Sequence, residues 1–196
     1  MRQSYGILHI GAHHGQEALF YERLNLPVLW VEADPNSYAK LKRNVINFPN
    51  QTCRNFIAHS ICAVNSEFHI ASNNGESSSI FPIAVNDYWE GLENVGVTYL
   101  PAMKVDCAIS RAEIEKYSYW VIDVQGAELE VLRGSLKSLK SCRYLNLEVS
   151  QGTFYKGGAH YSDLKQFLEN LGFFPIWDPS DVHEEIVFHN SNYQRL

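Results

Sequence analysis

Three acidic residues stand at the ends of apolar runs in this sequence. Glu32 follows Val28-Leu29-Trp30-Val31, Asp123 follows Tyr119-Trp120-Val121-Ile122, and Glu148 follows Tyr144-Leu145-Asn146-Leu147. A fourth polar tip, Gly11-Ala12-His13-His14-Gly15-Gln16-Glu17, comes directly after Tyr5-Gly6-Ile7-Leu8-His9-Ile10. Carboxylates accept hydrogen bonds from hydroxyls, take up protons and ligate hard cations. Glycines let a ligand approach the main chain, and a helix beginning after Gly15 offers unpaired N–H groups to a carboxylate or phosphate. The first loop therefore suits a small anionic or zwitterionic cofactor. Glu32 lies 17 residues beyond Gly15, close to the roughly 20 that place an acid on a ribose in nucleoside-binding sheets. The loop reads G-A-H-H-G rather than G-x-G-x-x-G, with His13 where close pyrophosphate approach needs glycine. A nucleoside without a diphosphate fits it better, which disfavours a nicotinamide oxidoreductase.

The elements that must position these tips alternate in type. The spacing predicts a helix with a stripe of Ala18, Leu19, Tyr21 and Leu24, and a second, capped by Ser37, with Tyr38, Leu41, Val45 and Phe48 on one face. A strand is expected over 55–58, an extended segment over 68–71, a polar loop over 72–79 and mostly loop over 81–100. Met103 to Val105 reads as a strand, Ala112 to Lys116 as a short helix, and Leu129, Leu132, Leu136 and Leu139 as one periodic helix. Ser162 caps a helix carrying Leu164, Phe167, Leu168 and Leu171, and two strands, Phe173 to Trp177 and Glu185 to Phe188, end the chain, the second antiparallel. Alternating strands and helices give an α/β fold, an open, mostly parallel sheet with helices on both faces. Such sheets bind ligands beyond the carboxyl ends of their strands. All four polar tips fall there, so residues distant in sequence share one rim.

Composition narrows the partners. The 196 residues fit one domain, 1–196, and a formal charge of −6 with no long basic run excludes an electrostatic grip on nucleic acid. No apolar run approaches the roughly 20 residues that span a bilayer. Cys53, Cys62, Cys107 and Cys142 stand far apart with no C-x-x-C pair, so reduced thiols in a cytoplasmic protein are expected.

His9 to Glu17, Val31-Glu32-Ala33-Asp34-Pro35, Ser72-Asn73 with Ser77-Ser78-Ser79, and Ile122-Asp123-Val124-Gln125-Gly126-Ala127-Glu128-Leu129 together resemble the FkbM family of S-adenosylmethionine (SAM)-dependent methyltransferases. The similarity runs from Leu8 to Leu171-Gly172-Phe173, and D-V-Q-G-A-E-L is its most specific piece. The resemblance implies a Rossmann-like seven-stranded methyltransferase sheet with an antiparallel last strand, and O-methylation, often of sugar hydroxyls on glycans or glycosylated metabolites. It places Gly11, Ala12, His13 and Gly15 along the methionine part of the cofactor and Glu32 on the ribose; Ala33, Ser78 and Gln125, in the matching stretches, complete the set. Many relatives carry an acid at the position of His9 and an asparagine at that of His13. Gln16, Glu17 or Asp123 is then expected to meet the cofactor's ammonium group.

Methyl transfer to a hydroxyl needs in-line positioning and a group that takes the proton, or a metal that acidifies it. Asp123 is the first expected base, Glu148 the second, and His160 the third, since imidazole titrates near neutral pH. Asp123 and Glu148 are also the oxygen ligands a divalent metal would use. His69, His183 and His189 read as structural, Trp30, Trp120 and Trp177 as core. Trp89, Tyr155 and Tyr161 fall in loops, where a ring can stack on a sugar. The acceptor is expected to be a saccharide or glycosylated small molecule, with rhamnose or fucose as plausible units, entering between the 73–79 and 151–161 loops. Association with a glycosyltransferase fits such a role, and a non-catalytic cofactor-binding module is the alternative.

Overall fold

The computed structural model describes residues 6–84 and 89–193. Tyr5 of the first expected strand and residues 85–88 of the expected 81–100 loop lie outside them.

The strands β1 (Gly6–Ile10), β2 (Val28–Glu32), β3 (Gln51–Asn55), β7 (Tyr117–Ile122), β8 (Tyr144–Ser150), β9 (Phe173–Pro175) and β10 (His183–Asn190) form a seven-stranded sheet ordered β3-β2-β1-β7-β8-β10-β9. Strands β3 to β8 of this row run parallel, and β10 is antiparallel to both β8 and β9. Every residue of β1 and β2 is buried, the signature of parallel strands covered on both faces. Alternation splits them between two cores. Leu8, Ile10, Leu29, Val31, Trp120 and Ile122 pack with α5 (Glu128–Arg133) and α6 (Tyr161–Glu169) on one face. On the other, Ile7, Val28, Trp30 and Val121 pack against α1 (Ala18–Arg23) and α2 (Pro35–Val45). The sheet order reverses between β1 and β7, so a crevice opens beyond Ile10 and Ile122.

A smaller sheet, β4 (Ile57–Ala58), β5 (Val64–Ala71) and β6 (Asn94–Met103), in the order β4-β6-β5, packs Ile57, Phe68, Leu100 and Ala102 with Ala33 and Ile80 beside the end of β2. It accounts for several departures from expectation. Residues 55–58 divide between β3 and β4, in different sheets, and the expected loop is strand from Asn94 onward. Val105 opens the short helix α3 (Val105–Ala108) instead of extending a strand, and α4 is Arg111–Ile114.

Elsewhere, Asp34 rather than Ser37 caps α2, accepting the Ser37 N–H at 2.8 Å, with Pro35 in the first turn. The helix expected through Leu139 ends at Arg133, because Gly134 approaches His59: a Cβ there would lie 2.0 Å from its carbonyl oxygen. Leu19, Leu24 and Trp177 are exposed, Tyr161 belongs to α6, and Cys62 is disulfide-linked to Cys107, contrary to the expected free thiols. Among the described residues no helix is long and apolar enough to cross a membrane.

Candidate active site

Two turns on the rim build the site. The first leaves β1 at Gly11, whose φ is 86° and whose missing Cβ would stand 1.6 Å from the Asp123 carbonyl oxygen. Only glycine lets β1 and β7 meet this closely. The Gly11 and Ala12 N–H groups donate to the Val31 carbonyl at 2.9 and 3.1 Å. His13 then adopts a φ of 43°, and its N–H donates to Glu32 Oε2 at 2.6 Å. Glu32 Oε1 accepts the Asp34 N–H at 2.8 Å. Burial pushes the Glu32 carboxyl up to about 7, against the opposing pull of these hydrogen bonds. Behind it runs a recess walled by Val31, Ala33, Ile57, Phe68, Ile80 and Val124, with His13, Glu76, Ser78, Asp123 and Gln125 as polar members. Apolar walls are of the kind that face a flat heterocycle, although the space between them in this structure is only about 50 Å³. A carboxylate with one N–H on each oxygen keeps lone pairs for a pair of hydroxyls.

The second turn follows β7. Gln125 and Gly126 have φ of 59° and 89°, and a Cβ on Gly126 would lie 2.8 Å from the Tyr155 ring. Glu128 Oε1 holds this turn, accepting the Val124 and Gly126 N–H groups at 3.1 Å each, and burial raises its carboxyl to about 8. Gln125 Nε2 donates to Asp123 Oδ1 at 2.6 Å and to Glu148 Oε2 at 2.8 Å, while the Tyr155 hydroxyl donates to Gln125 Oε1. The amide is thereby oriented with its donors on two acids. Glu148 Oε1 lies 3.0 Å from His183 Nε2, and His183 Nδ1 lies 2.8 Å from Ser150 Oγ. Burial, then the Glu148 charge, lifts the Asp123 carboxyl well above its usual range; the bond to Glu148 raises His183. A cleft of about 560 Å³ opens over this network.

Most of the expected residues converge here. Gly11, Ala12, His13, Gln16, Glu17, Asp123, Gln125 and Glu148 line the wide cleft, and Glu32, Ala33 and Ser78 line the recess beside it. Gly15 stands behind the turn against Leu41 and lines neither. His160 lines neither; it begins α6, where its N–H donates to Asp163 at 3.1 Å. His183, expected to be structural, lines the cleft instead, with the Trp89 ring edge-on at 5.4 Å. Its place follows from register, since β10 pairs His183 opposite Ser150, two residues beyond Glu148. Register between two strands whose paired residues lie 33 positions apart, with α6 and β9 between them, is not a local sequence signal. His9 is buried, stacked on Trp30 at 4.9 Å and 3.3 Å from the Tyr21 hydroxyl; burial lowers it to about 4, so it carries no charge at neutral pH. Among the described residues no group of three or more His, Cys, Asp or Glu is arranged to hold a metal ion. A further hollow, about 700 Å³, lies at another edge among Ile109, Leu136 and Phe173 and contains none of the rim tips.

Solved methyltransferases share the fold. A TehB-like SAM-dependent methyltransferase from Corynebacterium glutamicum superposes with a TM-score of 0.51 at 10% identity, over 97% of this chain and 83% of that one. Magnesium protoporphyrin IX methyltransferase from Synechocystis PCC 6803, with bound SAH, gives 0.52 at 9% identity over 96% and 75%. A protein of the NADB-Rossmann superfamily from Streptococcus agalactiae gives 0.55 at 12% identity over 100% of this chain and 66% of that one. No curated protein matches in sequence. The family model described as the methyltransferase FkbM domain matches residues 9–175, from the first strand through β9. With the strand order, the acid-tipped recess and this match in agreement, the chain belongs to the FkbM family of SAM-dependent methyltransferases.

Proposed function

We propose that this methyltransferase modifies a hydroxyl of a saccharide or glycosylated small molecule, for example a deoxysugar unit such as rhamnose or fucose. The observation that carries the reading is the Asp123–Gln125–Glu148 array on the floor of the wide cleft, beside the Gly11 turn. The recess and Glu32 would hold the adenosyl part of SAM, the Gly11 to His13 backbone its methionyl part, and Gln16 or Glu17 its amino group. When bound, the cofactor supplies an electrophilic methyl group. The chain must then orient a hydroxyl and remove its proton. Asp123 is the acceptor of that proton, because a carboxylate whose proton affinity is raised is a more effective base near neutral pH. Gln125 keeps Asp123 aimed, and Glu148, paired with His183, keeps Gln125 in place. Trp89, which lines the cleft and meets His183 edge-on, adds an aromatic ring to the wall that an acceptor sugar would pass.

The test is incubation with SAM and a panel of deoxysugar glycosides, read by mass spectrometry. Addition of one methyl group by the wild type, lost in Asp123→Asn, is the expected result. A panel left unmodified by wild type that binds SAH would contradict the saccharide reading.

A further inference from the structure

The charge of the wide cleft is one-sided. Glu17, Glu76, Glu90, Asp123 and Glu148 line it, and neither lysine nor arginine does so among the described residues. Of its imidazoles, His9 is neutral through burial, His183, raised by its bond to Glu148, offsets that one carboxylate, and His13 is hydrogen-bonded to Gln16. The sequence makes the same point independently of side-chain placement. Between Arg54 and Lys104 it contains no lysine or arginine, and this interval includes Asn73, Glu76, Ser77, Trp89, Glu90 and Leu92, which line the cleft. Lys156, in the opposite loop, is exposed and lines neither the cleft nor the recess. A phosphate or diphosphate on the acceptor would meet five carboxyl groups here and no lysine or arginine among the described residues. Sites that take such groups present lysine, arginine or a run of free backbone N–H groups.

We infer that the acceptor of this enzyme carries no anionic group: it is a neutral glycoside or glycan terminus, and sugar phosphates and nucleotide sugars are excluded by the carboxylate-lined cleft. The inference rests on the saccharide reading above and narrows it. It also places the reaction in order. Activated glycosyl donors carry phosphate, so methylation follows the glycosyl transfer that consumes the donor, and the reaction that supplies this substrate is a glycosyltransferase or an equivalent glycoside-forming step.

The experiment titrates methyl glycosides of rhamnose, fucose and glucose, each against the corresponding sugar 1-phosphate, into the protein saturated with SAH, with calorimetric or NMR detection. At least one methyl glycoside is expected to bind, with its 1-phosphate weaker by about tenfold or more, as repulsion from several carboxylates within about 10 Å requires. The exposed Glu90, which lines the cleft but not the recess, is the place to test this: Glu90→Lys is expected to narrow that gap without altering SAH affinity. Binding of a 1-phosphate as tightly as its glycoside overturns the charge inference and leaves the saccharide reading standing. Absence of binding by every sugar, with SAH bound, removes the saccharide reading and this proposal with it.

Discussion

The two turns on the rim solve the same physical problem and put the solution to different uses. Each follows a parallel strand, each needs positive φ, and each is held by a buried glutamate that accepts two main-chain N–H groups. In the first turn, Glu32 spends one oxygen on each N–H and faces the recess. In the second, Glu128 spends a single oxygen on both and is 2% exposed, so it is scaffold, and the side chains it presents are Asp123 and Gln125. A buried acid is therefore no guide to function by itself; where its remaining lone pairs point decides.

The largest effect that would break this comparison is steric. Gly11→Ala drives a Cβ into the Asp123 carbonyl, joining both turns, and is expected to destabilise the fold by about 4 kcal/mol or more. Thermal or denaturant unfolding measures it; a loss below about 1 kcal/mol would mean the strands do not meet as described. Next, Asp123→Asn is expected to lower turnover by about 10²–10⁴-fold, the usual contribution of a general base, with SAH affinity changed only a few-fold.

Glu32→Ala should do the reverse, weakening SAH by about tenfold or more through lost charge-assisted hydrogen bonds. Glu128→Ala sharpens the contrast from the other side: stability falls by about 1–3 kcal/mol as the Val124 and Gly126 N–H groups lose their buried acceptor, while SAH binding by the folded protein is kept.

The remaining expected effect is in pH. Glu32 at about 7 and Glu128 at about 8 hold protons in the folded state that the unfolded chain releases near pH 4.5. The folded state thus binds more protons between those values, so stability falls as pH rises from about 4.5 to 8 and levels off above. Removing the Glu128 carboxyl flattens the upper part of that slope, which melting temperatures against pH would register.

Much of this was legible in the sequence because parallel sheets concentrate function at strand ends. Apolar runs located β1, β2, β7 and β8, and the polar residue after each run located the rim, which brought Glu32, Asp123 and Glu148 together without any long-range information. The departures have physical causes of the opposite kind. The small sheet is half exposed, so β6 shows Val95, Val97 and Tyr99 to solvent and lacks the continuous apolar signature of a covered strand. Gly134 ends α5 because of a contact with His59, 75 residues away in the chain. His183 gains its place only through the β8–β10 register, and His160, set beside a glycine-rich loop, was instead drawn into starting α6.

The central claim is that binding and chemistry are divided between the two turns. It is tested most directly by measuring SAH affinity and methyl transfer together on wild type, Glu32→Ala and Asp123→Asn. The account predicts a loss of affinity in Glu32→Ala and a loss of transfer with affinity retained in Asp123→Asn. Wild-type transfer by Asp123→Asn, or undiminished SAH binding by Glu32→Ala, would contradict it.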